Sequence, residues 1–313
     1  MPPLDPVISS FGDKVITAIQ LIYGIPSVML MIVLFIFFGC SKTFEGSFYR
    51  LVQLDLLTNI LCYFNTWIGI RLEKHQIGVD LLKLLESLIP GSLSFSKLLL
   101  NFFLHMQFCS SMALNLHRIS SVICYKNYER NWSRCYLLYA LFSILYSTLP
   151  LLWIHRFAAE VTLINGTLSA SYHMDVMSDL LFLNAVCSAF YFLSILALGL
   201  ITAFLISKIV KGFNNVDNGL SRKLSRITLI YCTLYTGILL WSIVRSIDSY
   251  FPFLPALFTT YKLDILMFSS DAMTLSLPYI LIIFDRNLAF KKPRSNPGSR
   301  LAVFVSPSTA NFN

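Results

Sequence analysis

Seven stretches of this chain are apolar over about the length of a bilayer crossing, and that repetition constrains the fold more than any other feature. They run over Val15–Phe38, Phe48–Ile70, Lys97–Cys124, Cys135–Ile154, Leu180–Ser207, Ile227–Tyr250 and Leu263–Phe284. A helix rising ~1.5 Å per residue needs ~20 residues to cross the hydrocarbon. Lipid offers no partner for backbone N–H and C=O groups, so each stretch must satisfy them internally as a helix. The expected fold is an all-α membrane protein, a seven-transmembrane helix bundle. Composition agrees: 56% of the 313 residues are hydrophobic and 13% charged, more apolar surface than a soluble core can hide.

Sidedness follows from the basic residues. The N-terminal segment and the loops after spans two, four and six hold six: Lys14, Arg71, Lys74, Lys83, Arg156 and Lys262. Lys97 and Arg245, just inside span ends, raise this to eight. The opposite side holds sixteen: Lys42, Arg50, Arg118, Lys126, Arg130, Arg134, Lys208, Lys211, Arg222, Lys223, Arg226, Arg286, Lys291, Lys292, Arg294 and Arg300. The N-terminus is therefore placed outside and the C-terminus in the cytosol. Scattered among loops, the +8 formal charge is not a nucleic-acid patch. The first span reads as an uncleaved signal anchor, since no positive region precedes it. Two glycosylation sequons, at Asn131 and Asn165, flank span four, so at most one faces outward; the charge asymmetry selects Asn165. Seven helices in this orientation match G-protein-coupled receptors, in a rhodopsin-like layout, and not insect-type odorant channels.

Several segments carry a closer likeness. Ser47-Phe-Tyr-Arg-Leu-Val-Gln-Leu-Asp55 precedes Asn65-Thr-Trp67 and Arg71-Leu-Glu73. Phe103-Leu-His-Met-Gln-Phe108 leads to His117-Arg118-Ile-Ser-Ser121, and Leu277-Pro278-Tyr279 precedes Phe284-Asp285. In this order the chain resembles the nematode serpentine receptors of class gamma. The resemblance implies a chemosensory G-protein-coupled receptor in the plasma membrane, in a sensory-neuron cilium, with a small external ligand and a heterotrimeric G protein as partners. A transporter or lipid scramblase using the same polar interior is the alternative; no inverted repeat or pair of broken helices points to it. No metal spacing, cofactor motif or hydrolase constellation is present in the sequence, so an enzyme is not expected.

The candidate site residues come from polar groups inside the spans, which lipid cannot satisfy. In span three, Asn101, His105, Phe108, Met112 and Asn115 form one stripe at helical spacing. Its outer part, Asn101, His105 and Phe108, lines a ligand pocket or else holds the bundle by interhelical hydrogen bonds. Asn184 and Tyr191 of span five belong to the same pocket. Trp241, Arg245 and Asp248 share a face of span six; Arg245 either meets a polar ligand or pairs with Asp248. Asp271 of span seven is a candidate for a cationic ligand, for Arg245, or for a structural counter-ion.

Asp55, with Asn59 one turn on, resembles the interior ion site of rhodopsin-like receptors. Its partners are expected among Asn59, Asn115 and the seventh helix, or among basic residues at the inner interface. Arg118 resembles the arginine of the Asp/Glu-Arg-Tyr motif, with His117 where the carboxylate would stand. It faces a G protein or snorkels to head groups. Pro278 and Tyr279 resemble the inner-end proline motif of the seventh helix, with Leu277 replacing asparagine. The loop from Lys208 to Arg226 suits an acidic partner or anionic lipid. Arg286–Lys292 reads as a short amphipathic helix on the membrane. Residues 1–290 form the receptor unit, and 291–313 a polar, disordered tail. No cysteine lies in 71–108 or 155–186 to tie span three to the second outer loop. That face must be held by packing alone, or held less tightly.

Overall fold

The structure, a computed structural model, describes residues 11–124, 127–153, 159–164, 166–212, 219–251 and 254–284. The bundle comprises α1 (Phe11–Cys40), α2 (Ser47–Thr66), α4 (Ser92–Ile123), α5 (Tyr128–Trp153), α6 (Met174–Gly212), α7 (Gly219–Tyr250) and a broken last span, α8 (Ala256–Leu275) with α9 (Leu277–Phe284). A further helix, α3 (Gln76–Leu88), and an antiparallel hairpin, β1 (Ala159–Ile164) with β2 (Thr167–Tyr172), stand on the outer side. The helices run past most of the apolar limits, because backbone hydrogen bonding does not stop where hydrocarbon does. α5 starts at Tyr128, seven residues before the apolar stretch, and the Asn131 sequon lies within its first turns.

Length and apolarity alone qualify α1, Asp175–Leu205 and Leu229–Tyr250, and also the bent pairs α3–α4 and α8–α9. α2 falls short because Asp55, Asn59 and Asn65 lie within it, yet all three are buried inside the bundle. α1 buries Gln20, Gly24, Ser27, Met31, Leu34 and Phe38, three and four residues apart, against α2 and the last span. Gly24 gives Tyr63 its place, since a Cβ there would meet the Tyr63 hydroxyl and force that ring to shift. One core runs through the bundle, from Met31, Leu56 and Phe108 to Tyr235, Ile238 and Met273.

The outer face has a core of its own. Val79 and Leu82 of α3, Leu93 of α4, and Val161, Leu168 and Ala170 of the hairpin pack together. Ser94 Oγ accepts the Val161 N–H at 2.9 Å and donates to the Val161 carbonyl at 3.3 Å. Glu86 closes the turn from α3 into α4. Its carboxylate accepts the Gly91 N–H (2.6 Å), the Leu93 N–H (3.1 Å) and the Ser92 hydroxyl (3.2 Å), at the positive end of the α4 dipole. Gly91 sits at φ +86°, a region open to glycine. These contacts occupy the place where the sequence left packing without a disulfide.

Candidate functional site

The polar stripe of α4 faces α6 at two rungs. Asn184 Nδ2 donates to Asn101 Oδ1 at 2.9 Å, and one turn deeper His105 Nδ1 is hydrogen-bonded to the Tyr191 hydroxyl at 2.9 Å. Tyr191 donates onward to the Tyr146 hydroxyl of α5 at 2.7 Å. That leaves its oxygen to accept from His105 Nδ1–H, so His105 Nε2 carries a lone pair. Phe108 stacks on Tyr191 with ring centroids 4.7 Å apart, and on its other side meets Tyr235 of α7 at 4.9 Å. Tyr235 is hydrogen-bonded to Ser111.

His105 has no exposed surface, and its Nε2 has no partner among the described residues. Asn184 Oδ1 and Ser188 Oγ, on the same face of α6, are also buried without partners. Buried polar atoms are ordinarily hydrogen-bonded, so three unmet ones on two facing helices set this part of the bundle apart. The aromatic walls around them supply apolar area.

The sequence reading missed Ser188, Tyr146 and Tyr235. Ser188 lies one turn after Asn184 and was detectable from spacing. Tyr146 belongs to the inward row Trp132–Tyr136–Tyr139–Ser143–Tyr146 of α5, whose helical spacing was also legible. Tyr235 lies on the buried α7 face, Tyr231–Tyr235–Ile238–Ser242–Ser246, about a quarter turn from the face carrying Trp241 and Arg245. Trp241 Nε1 donates instead to the Lys262 carbonyl of α8 at 3.1 Å, and Arg245 pairs with Asp248 at 2.7 Å.

Asp271 belongs to a second cluster, on the α1–α2–α8 side. Tyr23 of α1 and Arg71 both donate to its carboxylate. Arg71 was counted from sequence as an outer-loop cation. A wide π-type turn, Trp67–Arg71, continues α2 and carries the guanidinium inward, where it is 2% exposed. It lies 5.0 Å from the Tyr63 ring centroid and 5.1 Å from that of Trp67. Of the three roles considered for Asp271, the structure places it as counter-ion to Arg71, and Arg245 is engaged elsewhere. Lys74–Asp264 and Lys97–Glu73 ion pairs surround the cluster.

Asp55 is buried and accepts from the Ser110 hydroxyl and, at 3.4 Å, from Asn59 Nδ2. Gln107 Nε2 extends the network to Asn59 Oδ1 (2.7 Å) and to Thr274 Oγ1 (2.8 Å) of α8. The seventh span is thus reached through Gln107. Asn115 does not join; its amide donates to the Ser111 carbonyl at 2.9 Å. No ion pair forms on Asp55 among the described residues, so the interface reading with a basic partner gives way. α8 and α9 meet at 40°, with Pro278 buried just beyond the break. The Tyr279 hydroxyl is hydrogen-bonded to Ser27 Oγ at 2.8 Å.

At the inner end, a carboxylate absent from the local motif arrives from α5. Glu129 accepts the Ser47 N–H at 2.7 Å and the Ser47 hydroxyl at 2.8 Å, and Ser47 Oγ is hydrogen-bonded to His117 Nε2 at 2.8 Å. The latch joins α2, α4 and α5 through His117. Arg118 lies 5.9 Å from the Phe48 ring centroid and makes no ion pair among the described residues. Of the Lys208–Arg226 stretch, the parts up to Gly212 and from Gly219 belong to α6 and α7; residues 213–218, Asn165, Arg286–Lys292 and the tail lie outside the described residues.

Comparisons with known proteins bear on the whole arrangement. A model of the Srg family of chemoreceptors matches residues 17–290. Two Caenorhabditis elegans proteins are similar over most of their lengths. Serpentine receptor class gamma-47 is 40% identical over 286 residues, covering 89% of this chain and 91% of the relative. Serpentine receptor class gamma-53 is 32% identical over 275 residues, covering 87% and 89%. The crystal structure of squid rhodopsin superposes with a TM-score of 0.60 over 88% of this chain and 83% of that one, at 13% identity, a likeness of fold.

Proposed function

This chain belongs to the Srg family of chemoreceptors, and from that premise we propose where it binds its ligand and where it signals. It is a multi-pass membrane receptor of the G-protein-coupled, chemosensory type. The proposed ligand is a small external molecule held between α4, α6 and α7, in contact with Asn101, His105, Phe108, Asn184 and Tyr191. The observation that carries this reading is His105, fully buried with Nε2 unpartnered among the described residues, on a helix packed against that of Asn184 and Ser188. His105 Nε2 and Asn184 Oδ1 are acceptors, so the ligand is a largely apolar molecule carrying a hydroxyl or N–H donor. Trp241, Arg245 and Asp271 are engaged with partners of their own outside this site, Asp271 in the second cluster, and the proposed pocket does not include them.

In the same reading the cytosolic partner is a heterotrimeric G protein, docking where Arg118 stands without a carboxylate partner among the described residues. Pro278 and Tyr279 supply the movable inner end of the last span, and Asp55 with Asn59 holds the interior between the two sites. The receptor unit spans residues 1–290. The protein works in the plasma membrane of a sensory cell, at its cilium.

The test is a ligand screen on cells expressing the full chain with a G-protein readout. His105→Phe is expected to shift the response at least ~10-fold, because the donor of the ligand loses its acceptor. Surface amount should be unchanged, since the substitution leaves no unmet polar atom of its own. Arg118→Ala is expected to abolish the G-protein signal while ligand binding persists. Ligand-driven solute flux with no G-protein signal would sink the receptor mechanism proposed here.

A further inference from the structure

α3 is an outer-loop helix with three segregated faces. Gly78, Val79, Leu82 and Glu86 are buried against the hairpin and the start of α4. Ile77, Leu81, Leu84 and Leu88 are 86%, 52%, 55% and 70% exposed. At 3.6 residues per turn these four fall within ~60° of one another. Gln76, Asp80, Lys83 and Ser87 occupy a third sector of similar width, on the far side of the helix from Leu85. A loop helix surrounded by water needs two faces, one toward protein and one polar. An apolar face set between them implies a third medium.

Geometry identifies that medium. α3 and α4 are bent by 104°, a turn held by Glu86 on the Gly91 and Leu93 N–H groups. If α4 crosses the bilayer, α3 lies along its surface. Leu57, Leu61 and Phe64 are exposed along α2 at helical spacing, and Ile68, the next residue of that series, packs against the buried face of α3, so α3 stands at the end of that exposed row. Thirteen residues are too few to cross hydrocarbon but suit a helix lying in the interface.

We infer that α3 is an interfacial anchor, its Ile77–Leu81–Leu84–Leu88 stripe seated in the outer leaflet among phospholipid acyl chains. Its inner face carries the hairpin that covers the bundle. The outer cap is thereby fixed to the membrane surface as well as to α4. This inference rests on the membrane fold and is independent of the ligand site proposed above.

The test uses the full chain with its accessible cysteines, Cys40, Cys124, Cys135 and Cys187, replaced by serine. An environment-sensitive fluorophore is attached at L81C or L84C on the stripe, or at D80C or S87C on the polar sector. The labelled proteins are reconstituted in phosphatidylcholine nanodiscs, with and without lipid bearing a nitroxide high on the acyl chain. The two stripe positions are expected to be quenched severalfold more than the two polar ones, with blue-shifted emission. Equal quenching at all four would overturn the inference. So would stripe labels shielded from nitroxide that transfer energy to a label on a second copy, because that outcome seats another chain on the stripe. Labels at 81 and 84 are outside the α3–hairpin core, and an unfolding midpoint matching the unlabelled protein checks that each variant is folded.

Discussion

Arg71 and Asp271 are 200 positions apart in the chain and form an ion pair with 2% and 4% exposure. Removing one member leaves the other charged and buried, which costs far more than the pair itself contributes. Arg71→Ala and Asp271→Ala are each expected to lower stability by about 3–5 kcal/mol. Arg71→Met combined with Asp271→Asn should recover most of that loss, because no uncompensated charge remains. Unfolding midpoints of the four proteins in one detergent measure this; additive losses in the double variant would refute it. From sequence both residues were visible and their partnership was not. Arg71 looked like a loop cation because nothing in Trp67-Ile-Gly-Ile-Arg71 announces a wide helical turn. Asp271 was noticed as an intramembrane carboxylate, but its partner comes from the other end of the chain.

At the scale of elements, the outer cap and the seven spans differ in what holds them. α3 and the hairpin rest on the six-residue cluster around Leu82 and Val161, with Ser94 as the polar rivet. Leu82→Ala is expected to cost about 2–5 kcal/mol through the cavity it leaves. Ser94→Ala should cost roughly 1–3 kcal/mol by leaving the Val161 N–H unmet. In both variants hydrogen exchange should rise over Ala159–Tyr172 and Gln76–Leu88, while the amides of α4 around His105 keep their protection. Uniform loss across the bundle would show that the cap and bundle unfold as one unit. The cap was not legible as structure beforehand. Six-residue strands give weak periodic signals, the amphipathic period of α3 falls in a stretch too short to read as a span, and Glu86, which makes the turn, reads in sequence as one more loop charge.

For the whole molecule, sidedness is the property on which every functional statement depends. The charge asymmetry puts Asn165 outside and Asn131 inside, and the structure sets Asn131 within α5 near Glu129 and the inner latch. Asn165→Gln is therefore expected to collapse a glycosylated band on a gel, with Asn131→Gln leaving it unchanged. A glycan removed by Asn131→Gln instead would invert the bundle. Arg118 and His117 would then face outward, and the proposed signalling surface would be lost.

The number of crossings, the inner and outer sides, the polar stripe of α4 and the family were all decided within the sequence. Apolar length, loop charge and helical period are properties of contiguous residues, so folding is not needed to read them. Tertiary structure alone decided which polar groups meet. Tyr146 and Tyr235 join His105 and Phe108, Glu129 takes Ser47, which in turn reaches His117, and Arg71 takes Asp271 while Arg245 stays with Asp248. Those choices depend on how each helix is rotated and how far it slides past its neighbours. Rotation and register come from the packing of side chains on all sides at once, and no local spacing encodes them.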